Sequence, residues 1–547
     1  MLKPKLFTTL KNYTREQFFH DAGAGAIVAI IALPLSIALS IASGLSPEKG
    51  LFSAIIGGFL ISFLGGSRVL IGGPSGAFVI LAGTLLAQHG PGGLALATLM
   101  AGVILILMGF LRLGSLIKYI PASITSGFGS GIAVIILSTQ IKDILGLSLK
   151  TVPPAFTDKI LALWNSLPTF QWESLVITLL TLVVIILWPK TGSKIPGTLA
   201  AIIIGTLLTL VLGLDVPTIG TQFSHLKGSL PLPALPAFSF ALLQELAVPA
   251  LTIAVLAAME SLLSAVVADG MIGGRHRSNM ELIAEGAANL GSSFFGGMPV
   301  TGAIARTTAN VQNGGRTPVA GIIHSLTLLL MLLVLMPAVK LIPMASMAGI
   351  LTMVSYNMGD WGAFRRIFRG PKTDAIVLLS TFLLTVFVDL ATAIALGMIL
   401  SALSFMKKMA DTTAVSSFSE AEEESIREHL MYPEHVSLYE INGPFFFGAA
   451  DKFLRTITQR SHEDRVLIIR MSAVPFMDAT AYDLFSKLLE TSRKKGIKIL
   501  LLDLQEQPYR LLEKYGFLPS FGEQNILKTR EEAIRRANEV LAEQDKA

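Results

Sequence analysis

The chain has 547 residues, 52% of them hydrophobic and only 15% charged, with mean hydropathy +0.64; this balance excludes an ordinary soluble protein and marks an integral membrane protein. Cysteine is absent, which removes disulfides, thiolate metal sites and thiol nucleophiles. The formal charge of +5 is spread over short loops and not gathered in a patch, so it speaks for membrane topology and against a nucleic-acid partner.

Lys3, Lys5, Lys11 and Arg15 precede the first apolar run, and no small-residue cleavage site follows a short apolar core. The segment is therefore not a removable signal, and the N-terminus is expected in the cytoplasm. Apolar runs of roughly 20 residues, some shorter or interrupted, cover the chain from Gly23 to about Phe405. They predict about 14 spans, centred near Ile31, Gly58, Leu81, Leu105, Ile132, Thr181, Gly205, Val255, Ala288, Ala305, Leu328, Leu351, Leu379 and Leu396. An even count sets Arg112, Lys118, Lys190, Lys194, Arg275, Arg277, Arg316, Arg365, Arg366, Arg369 and Lys372 on the cytoplasmic side and the links at about 144–172 and 215–243 outside, as the positive-inside rule requires. The transport region is 1–411, with halves at about 20–214 and 240–410. Seven spans per half is odd, so the two halves must be inverted repeats.

Residues 412–432 form an acidic linker containing Glu420, Glu422, Glu423 and Glu424, and 433–547 read as a cytoplasmic α/β domain. Its strands are expected at 436–441, 466–471 and 497–504, and its helices at 479–494, 507–515 and 530–541.

Two glycine and proline stretches, Ile71-Gly72-Gly73-Pro74-Ser75-Gly76-Ala77-Phe78 and Gly296-Gly297-Met298-Pro299-Val300-Thr301-Gly302-Ala303, interrupt the third span of each half. Unwound backbone in hydrocarbon is tolerated only where it lines a cavity, and paired broken helices point to a transporter binding site. Ser75, Gly76, Ala77 and Phe78 would present free N–H groups at one helix start; the alternative is that the glycines only permit close packing. Ala305, Arg306 and Thr307 open the other helix, where Arg306 favours an anion or else neutralises Glu260 or reaches the cytoplasmic surface. Glu260 lies deep in its span, where burial opposes its charge and a nearby Arg306 favours it; such a carboxyl is suited to carrying a coupling proton, or else to a fixed structural pair. Asp389 reads as an outer turn, and Asp269, Arg275, His276, Arg277, Asn279 and Glu281 as a solvated or capping link. No phosphate-binding loop or H-E-x-x-H zinc helix occurs, so neither an ATP-driven pump nor an enzyme is supported, and no catalytic residue, metal site or cofactor is expected.

At these residues the chain resembles the SulP family of anion transporters. The resemblance rests on Ala32-Leu33-Pro34, Gly73-Pro74-Ser75-Gly76-Ala77, Glu260-Ser261-Leu262-Leu263-Ser264, Val267-Ala268-Asp269-Gly270, Gly296-Gly297-Met298-Pro299, Ala305-Arg306 and Gly314-Gly315-Arg316-Thr317. Gly65-Gly66-Ser67-Arg68, Tyr119-Ile120-Pro121, Gln140-Ile141-Lys142-Asp143 and Ile304-Ala305-Arg306 are similar to the branch that carries C4-dicarboxylates. The tail resembles a STAS domain at Val474-Pro475-Phe476-Met477-Asp478-Ala479-Thr480-Ala481, with Ala479 where antagonist proteins carry a phosphorylatable hydroxyl and Thr480 left as a helix cap. The resemblance implies two inverted seven-helix repeats in core and gate domains, an elevator-type transporter, a homodimer, and a polytopic protein of the bacterial inner membrane with both termini cytoplasmic. It implies substrate contacts from the third and tenth spans and from Leu35 and Leu39 of the first. Leu35 is apolar where many animal relatives carry Gln, and Glu260 stands where sodium-driven bicarbonate relatives carry Asp, which favours protons as the coupling ion. The implied activity is proton-coupled uptake of C4-dicarboxylates such as succinate, fumarate or aspartate. The alternatives are a sulfate or bicarbonate symporter or exchanger, and a membrane-anchored STAS scaffold that recruits a cytoplasmic partner without transport.

Overall fold

The computed structural model describes residues 2–115, 121–149, 152–153, 155–193, 195–223, 226, 228–412, 414–417, 433, 435–447 and 464–545. Lys118, Tyr119, Ile120, Lys194 and the acidic run Glu420, Glu422, Glu423 and Glu424 lie outside these residues. The chain divides into two compact units, Met1–Met398 and Ile399–Ala547.

In the first unit the apolar runs form helices α1 (Arg15–Ala42), α2 (Pro47–Leu64), α3 (Ala77–Phe110), α4 (Ala122–Ile144), α5 (Phe156–Asn165), α6 (Trp172–Leu187) and α7 (Gly197–Leu212) in the first half. The second half supplies α8 (Ala247–Ile272), α9 (Ser278–Phe294), α10 (Ile304–Gln312), α11 (Pro318–Val339), α12 (Met344–Met358), α13 (Lys372–Phe387) and α14 (Leu390–Thr412), the last running on into the second unit. The spans predicted near Leu81 and Leu105 are the two helical segments of α3, which meet at a break at Gly90 (φ 67°, ψ −174°) before Pro91, since glycine takes this conformation and the proline ring cannot continue the preceding hydrogen bonds. α5 lies in the link between spans, and every other segment carries one of the predicted centres.

Two short strands replace helix where the glycine and proline stretches fall. β1 (Gly72–Pro74) pairs antiparallel with β2 (Val300–Gly302), placing Gly73 opposite Thr301 and Pro74 opposite Val300. The helix pairings repeat across the halves: α1 packs on α11 as α8 packs on α3, α2 on α11 as α9 on α3, and α4 on α13 as α12 on α6. Such reciprocal pairing, with the two strands running opposite ways, is what two inverted repeats produce. Two groups follow from it, a core of α1 to α3 with α8 to α11 and a gate of α4, α6, α7 and α12 with α13. Leucine and phenylalanine side chains such as Leu107, Phe110, Leu207 and Leu330 stay exposed on the outer faces, which hydrocarbon solvates at no cost.

The second unit is a five-stranded sheet in the order β3 (Ala414–Ser417), β4 (Val436–Asn442), β5 (Val466–Ala473), β6 (Lys498–Leu502) and β7 (Ile526–Leu527), antiparallel at its first pair and parallel thereafter. α15 (Ala479–Lys494), α16 (Glu506–Lys514), α17 (Phe517–Phe521) and α18 (Arg530–Asp545) complete it. Tyr439, Ile469, Phe485 and Leu501 fill one side of the sheet and Val436, Ile468, Leu500 and Val540 the other, the two-sided burial that parallel strands need. Two expectations are corrected. Ala414–Ser417, within the expected acidic linker, is an edge strand of the sheet. The cap of α15 is Asp478, whose Oδ1 accepts from the Ala481 amide at 2.8 Å, and Thr480 is exposed.

Candidate anion site

The site is built where β1 and β2 cross, and buried polar side chains hold it open. Asn289 on α9 binds both backbone groups of Val300, accepting from its N–H at 3.0 Å and donating to its carbonyl at 3.0 Å. Thr301 donates to the Ala257 carbonyl (3.0 Å) and Ser264 to the Gly302 carbonyl (2.9 Å), tying β2 to α8. Ser53 accepts from the Met298 amide at 2.7 Å and Ser292 donates to the Met298 carbonyl at 2.7 Å. The Thr307 hydroxyl accepts from the Ile71 amide at 3.1 Å, and Asn310 donates to the Val69 carbonyl at 2.9 Å. Every unwound residue would otherwise leave polar backbone unsatisfied inside the membrane.

Arg306 is 1% exposed and donates through Nη2 to the Pro74 carbonyl at 2.9 Å, while Nε and Nη1 have no hydrogen-bond partner among the described residues. Nη1 occupies the place that a side chain at Gly73 would need. The guanidinium thus sits beneath the strand crossing and makes no contact ion pair with Glu260, the half-buried carboxyl on α8 that faces both the Ser75 hydroxyl and Arg306. The structure brings Ser75, Glu260 and Arg306 together.

The helix starts differ from the expectation in detail. Ala77 and Phe78 donate their amides back to Ser75, at 3.3 Å to Oγ and 3.2 Å to the carbonyl, so these N–H groups are not free. On α10 the amides of Ile304, Ala305 and Arg306 have no backbone acceptor among the described residues, while the Thr307 amide is used by the Ala303 carbonyl at 3.0 Å. Ala305 is exposed, Thr307 and Phe78 are buried, and on α1, which packs on β1, Leu35 is half-buried and Leu39 buried.

Several buried polar groups near the crossing escaped the sequence reading. Glu281, expected in a solvated or capping link, is fully buried and accepts from the Gly66 and Ser67 amides at 2.8 Å each, closing the end of α2. Glu285, one turn on, is fully buried with neither oxygen hydrogen-bonded, and faces Ser261, Thr301 and the Glu281 and Glu260 carboxyls. His324 on α11 is buried with neither ring nitrogen bonded, near the Arg306 charge. The spacing of Glu281, Glu285 and Asn289 at four-residue intervals, all on one helix face, was the available signal. In the same link Asp269 accepts from His276 Nδ1 at 2.7 Å and from the His276 amide, which orders the turn.

Known proteins align with this architecture along its whole length. The model of the "Sulfate permease family" matches residues 18–381 and that of the "STAS domain" residues 431–533. The chain belongs to the sulfate permease family, SulP. It is 36% identical over 524 residues to "Putative sulfate transporter YvdB" of Bacillus subtilis, covering 95% of this chain and 98% of the relative. It is 31% identical over 535 residues to "Bicarbonate transporter BicA" of a Synechocystis strain, covering 94% of each. Among solved structures, that of SLC26A9 superposes with a TM-score of 0.86 at 19% identity over 99% of this chain and 93% of that one, a likeness of fold. The transmembrane domain of a cyanobacterial BicA superposes with a TM-score of 0.65 at 31% identity, covering 70% of this chain and 98% of that one. As a SulP protein the chain is a multi-pass membrane anion transporter with a C-terminal STAS domain.

Proposed function

We propose that the protein is a proton-coupled importer of small oxyanions. The observation that carries this reading is the meeting of Ser75, Glu260 and Arg306 at the β1 and β2 crossing, with the open amides of α10 beside them. The helix start and the buried guanidinium supply a positive field for the anion. Arg306 acts from behind the backbone, and the amides of Ser75, Gly76, Ile304 and Ala305 touch the substrate. Glu260 carries the proton, its charge set against the same guanidinium that attracts the anion. Binding the anion weakens the positive field at Glu260 and so favours proton uptake there, which couples the two loads.

Sulfate and bicarbonate are the first substrates to test, because the relatives named for them align over nearly the full chain. C4-dicarboxylates are the second, on the strength of motifs such as Ile304-Ala305-Arg306. Transport proceeds by movement of the core against the gate in a homodimer of the inner membrane, with both termini and the STAS domain in the cytoplasm.

The deciding experiment reconstitutes the full chain in liposomes, imposes an inward proton gradient and follows labelled sulfate, bicarbonate and succinate separately. Accumulation of one anion that collapses with a protonophore is the expected result; gradient-independent equilibration of all three would remove the coupling role. Glu260→Gln is expected to abolish proton-driven accumulation while sparing anion exchange, and full accumulation in that variant would end the assignment of Glu260.

A further inference from the structure

A cavity of about 600 Å³ runs beside the first half of α3. It begins at Val79 and Ile80, directly after the Ser75 to Phe78 turn, and reaches Thr139, Gln140 and Lys159. Lys159 stands on α5, in the link expected on the outer face. It is 2% exposed, yet no carboxylate forms an ion pair with it among the described residues, and its one hydrogen bond is a long one, 3.5 Å, to Ser138 Oγ. The Ser138 hydroxyl donates onward to the Ile135 carbonyl at 2.6 Å, so its oxygen is the acceptor. Lys142 and Asp143 also line the cavity, and Lys142 is the charge that faces Asp143. Buried charges in proteins are paired or hold a ligand, because an uncompensated ion in a low-dielectric interior is strongly disfavoured. Among the described residues no carboxylate compensates Lys159.

We propose that Lys159, with the second N–H of the Gln140 amide, whose first is donated to Thr139 Oγ1 at 2.7 Å, forms a second binding site for a small oxyanion, at the outer end of the cavity that runs along α3 toward the strand crossing. The site is distinct from the one at β1 and β2. It receives the anion before the anion reaches Ser75, and the charge it adds to the cavity raises the local anion concentration there. The inference rests on the reading of the chain as an anion transporter only in calling the site an entry station; the site itself requires nothing of Glu260 or of proton coupling. Burial without a counter-charge pushes the Lys159 ammonium down to about 8, so its amine has a neutral, reactive fraction that an occupying anion suppresses.

Two measurements on the full-length protein test this. In the first, purified protein is exposed to an amine-reactive reagent at constant ionic strength in sulfate, bicarbonate, succinate, chloride or gluconate, and modification of Lys159 is followed by mass spectrometry. A saturable fall of threefold or more in at least one of the three oxyanions relative to gluconate is expected; equal rates in all five salts would overturn the site. In the second, liposomes carrying wild type, Lys159→Met or Lys159→Arg are compared for uptake of the anion that wild type moves. A KM at least threefold higher in the Met variant and near wild type in the Arg variant supports the entry station, and equal KM in all three removes it. If wild type moves none of the anions, the transport reading fails while the protection experiment still decides the site.

Discussion

Gly73 is the residue on which the strand crossing turns. Its φ of +155° and the position of Arg306 Nη1 leave no room for a side chain. Gly73→Ala is expected to displace the guanidinium from the Pro74 carbonyl, to lower stability by about 1–3 kcal/mol and to reduce uptake. Melting in detergent and liposome flux measure the two effects, and wild-type values for both would show that the guanidinium is not held as described. Asn289→Leu strips both partners from Val300, so its N–H and C=O lie unpaired in the core; a loss of about 1–3 kcal/mol is expected from each such group, partly relieved by relaxation. Lys159 offers a test through pH. Its ammonium, lowered by burial from 10.5 to about 8, disfavours the folded state fully below about pH 8. The effect fades as pH rises toward 10.5, where the unfolded chain also releases the proton. In gluconate buffer free of sulfate, bicarbonate and succinate, Lys159→Met should therefore be more stable than wild type at pH 7 by up to about 3 kcal/mol, with the gap closing above pH 8; a gap of zero would mean that the cation has a partner.

Helix contacts in the core domain follow from residues too small or too polar to read as apolar periodicity. Gly102 of α3 and Gly286 of α9 face one another, and a Cβ on either would meet the other's carbonyl oxygen, at 2.7 Å and 2.5 Å. Close backbone approach of this kind is a common basis of helix association where no hydrophobic drive separates protein from lipid. Gly286→Val is expected to force α9 from α3 and, with it, Asn289 from β2, so that folded protein recovered from detergent falls sharply while Gly270→Val, which meets nothing within 4 Å, leaves the yield unchanged. At the other side of the crossing Asp21 of α1 gathers the start of α11. Oδ1 accepts from the Arg316 amide at 2.8 Å and the Thr317 amide at 3.2 Å, and Oδ2 accepts from the Thr317 hydroxyl at 2.5 Å and the Tyr13 hydroxyl at 3.0 Å. This cap lies between elements nearly 300 positions apart, so Asp21→Ala should cost about 2 kcal/mol and loosen α11 more than α1, as hydrogen exchange at residues 319–321 would report.

The chain divides into two compact units at Met398 and Ile399, and the first has its own buried core. A chain ending at residue 412 is expected to insert and to elute as a single species in detergent; aggregation of that chain would show that the STAS domain is needed for folding. Membrane location, the span centres, the odd number of spans per half and the α/β tail were all legible in the sequence, because each depends on local apolarity and period, which hydrocarbon and a buried sheet both select strongly. The two interrupted stretches were legible for a similar reason, since glycine and proline in a span announce unwound backbone. What the local pattern did not contain was which distant groups satisfy that backbone. The pairing of β1 with β2, the turn of Arg306 under Gly73 onto the Pro74 carbonyl 232 residues away, the capture of the Gly66 and Ser67 amides by Glu281 and the isolation of Lys159 all depend on positions far apart in the chain. The amino-acid order determined where polar groups enter the membrane; only the packing of the two inverted halves decided which of them are paired there and which are left without a hydrogen-bond partner, because hydrogen bonding and charge compensation depend on distances between elements that sequence spacing does not set.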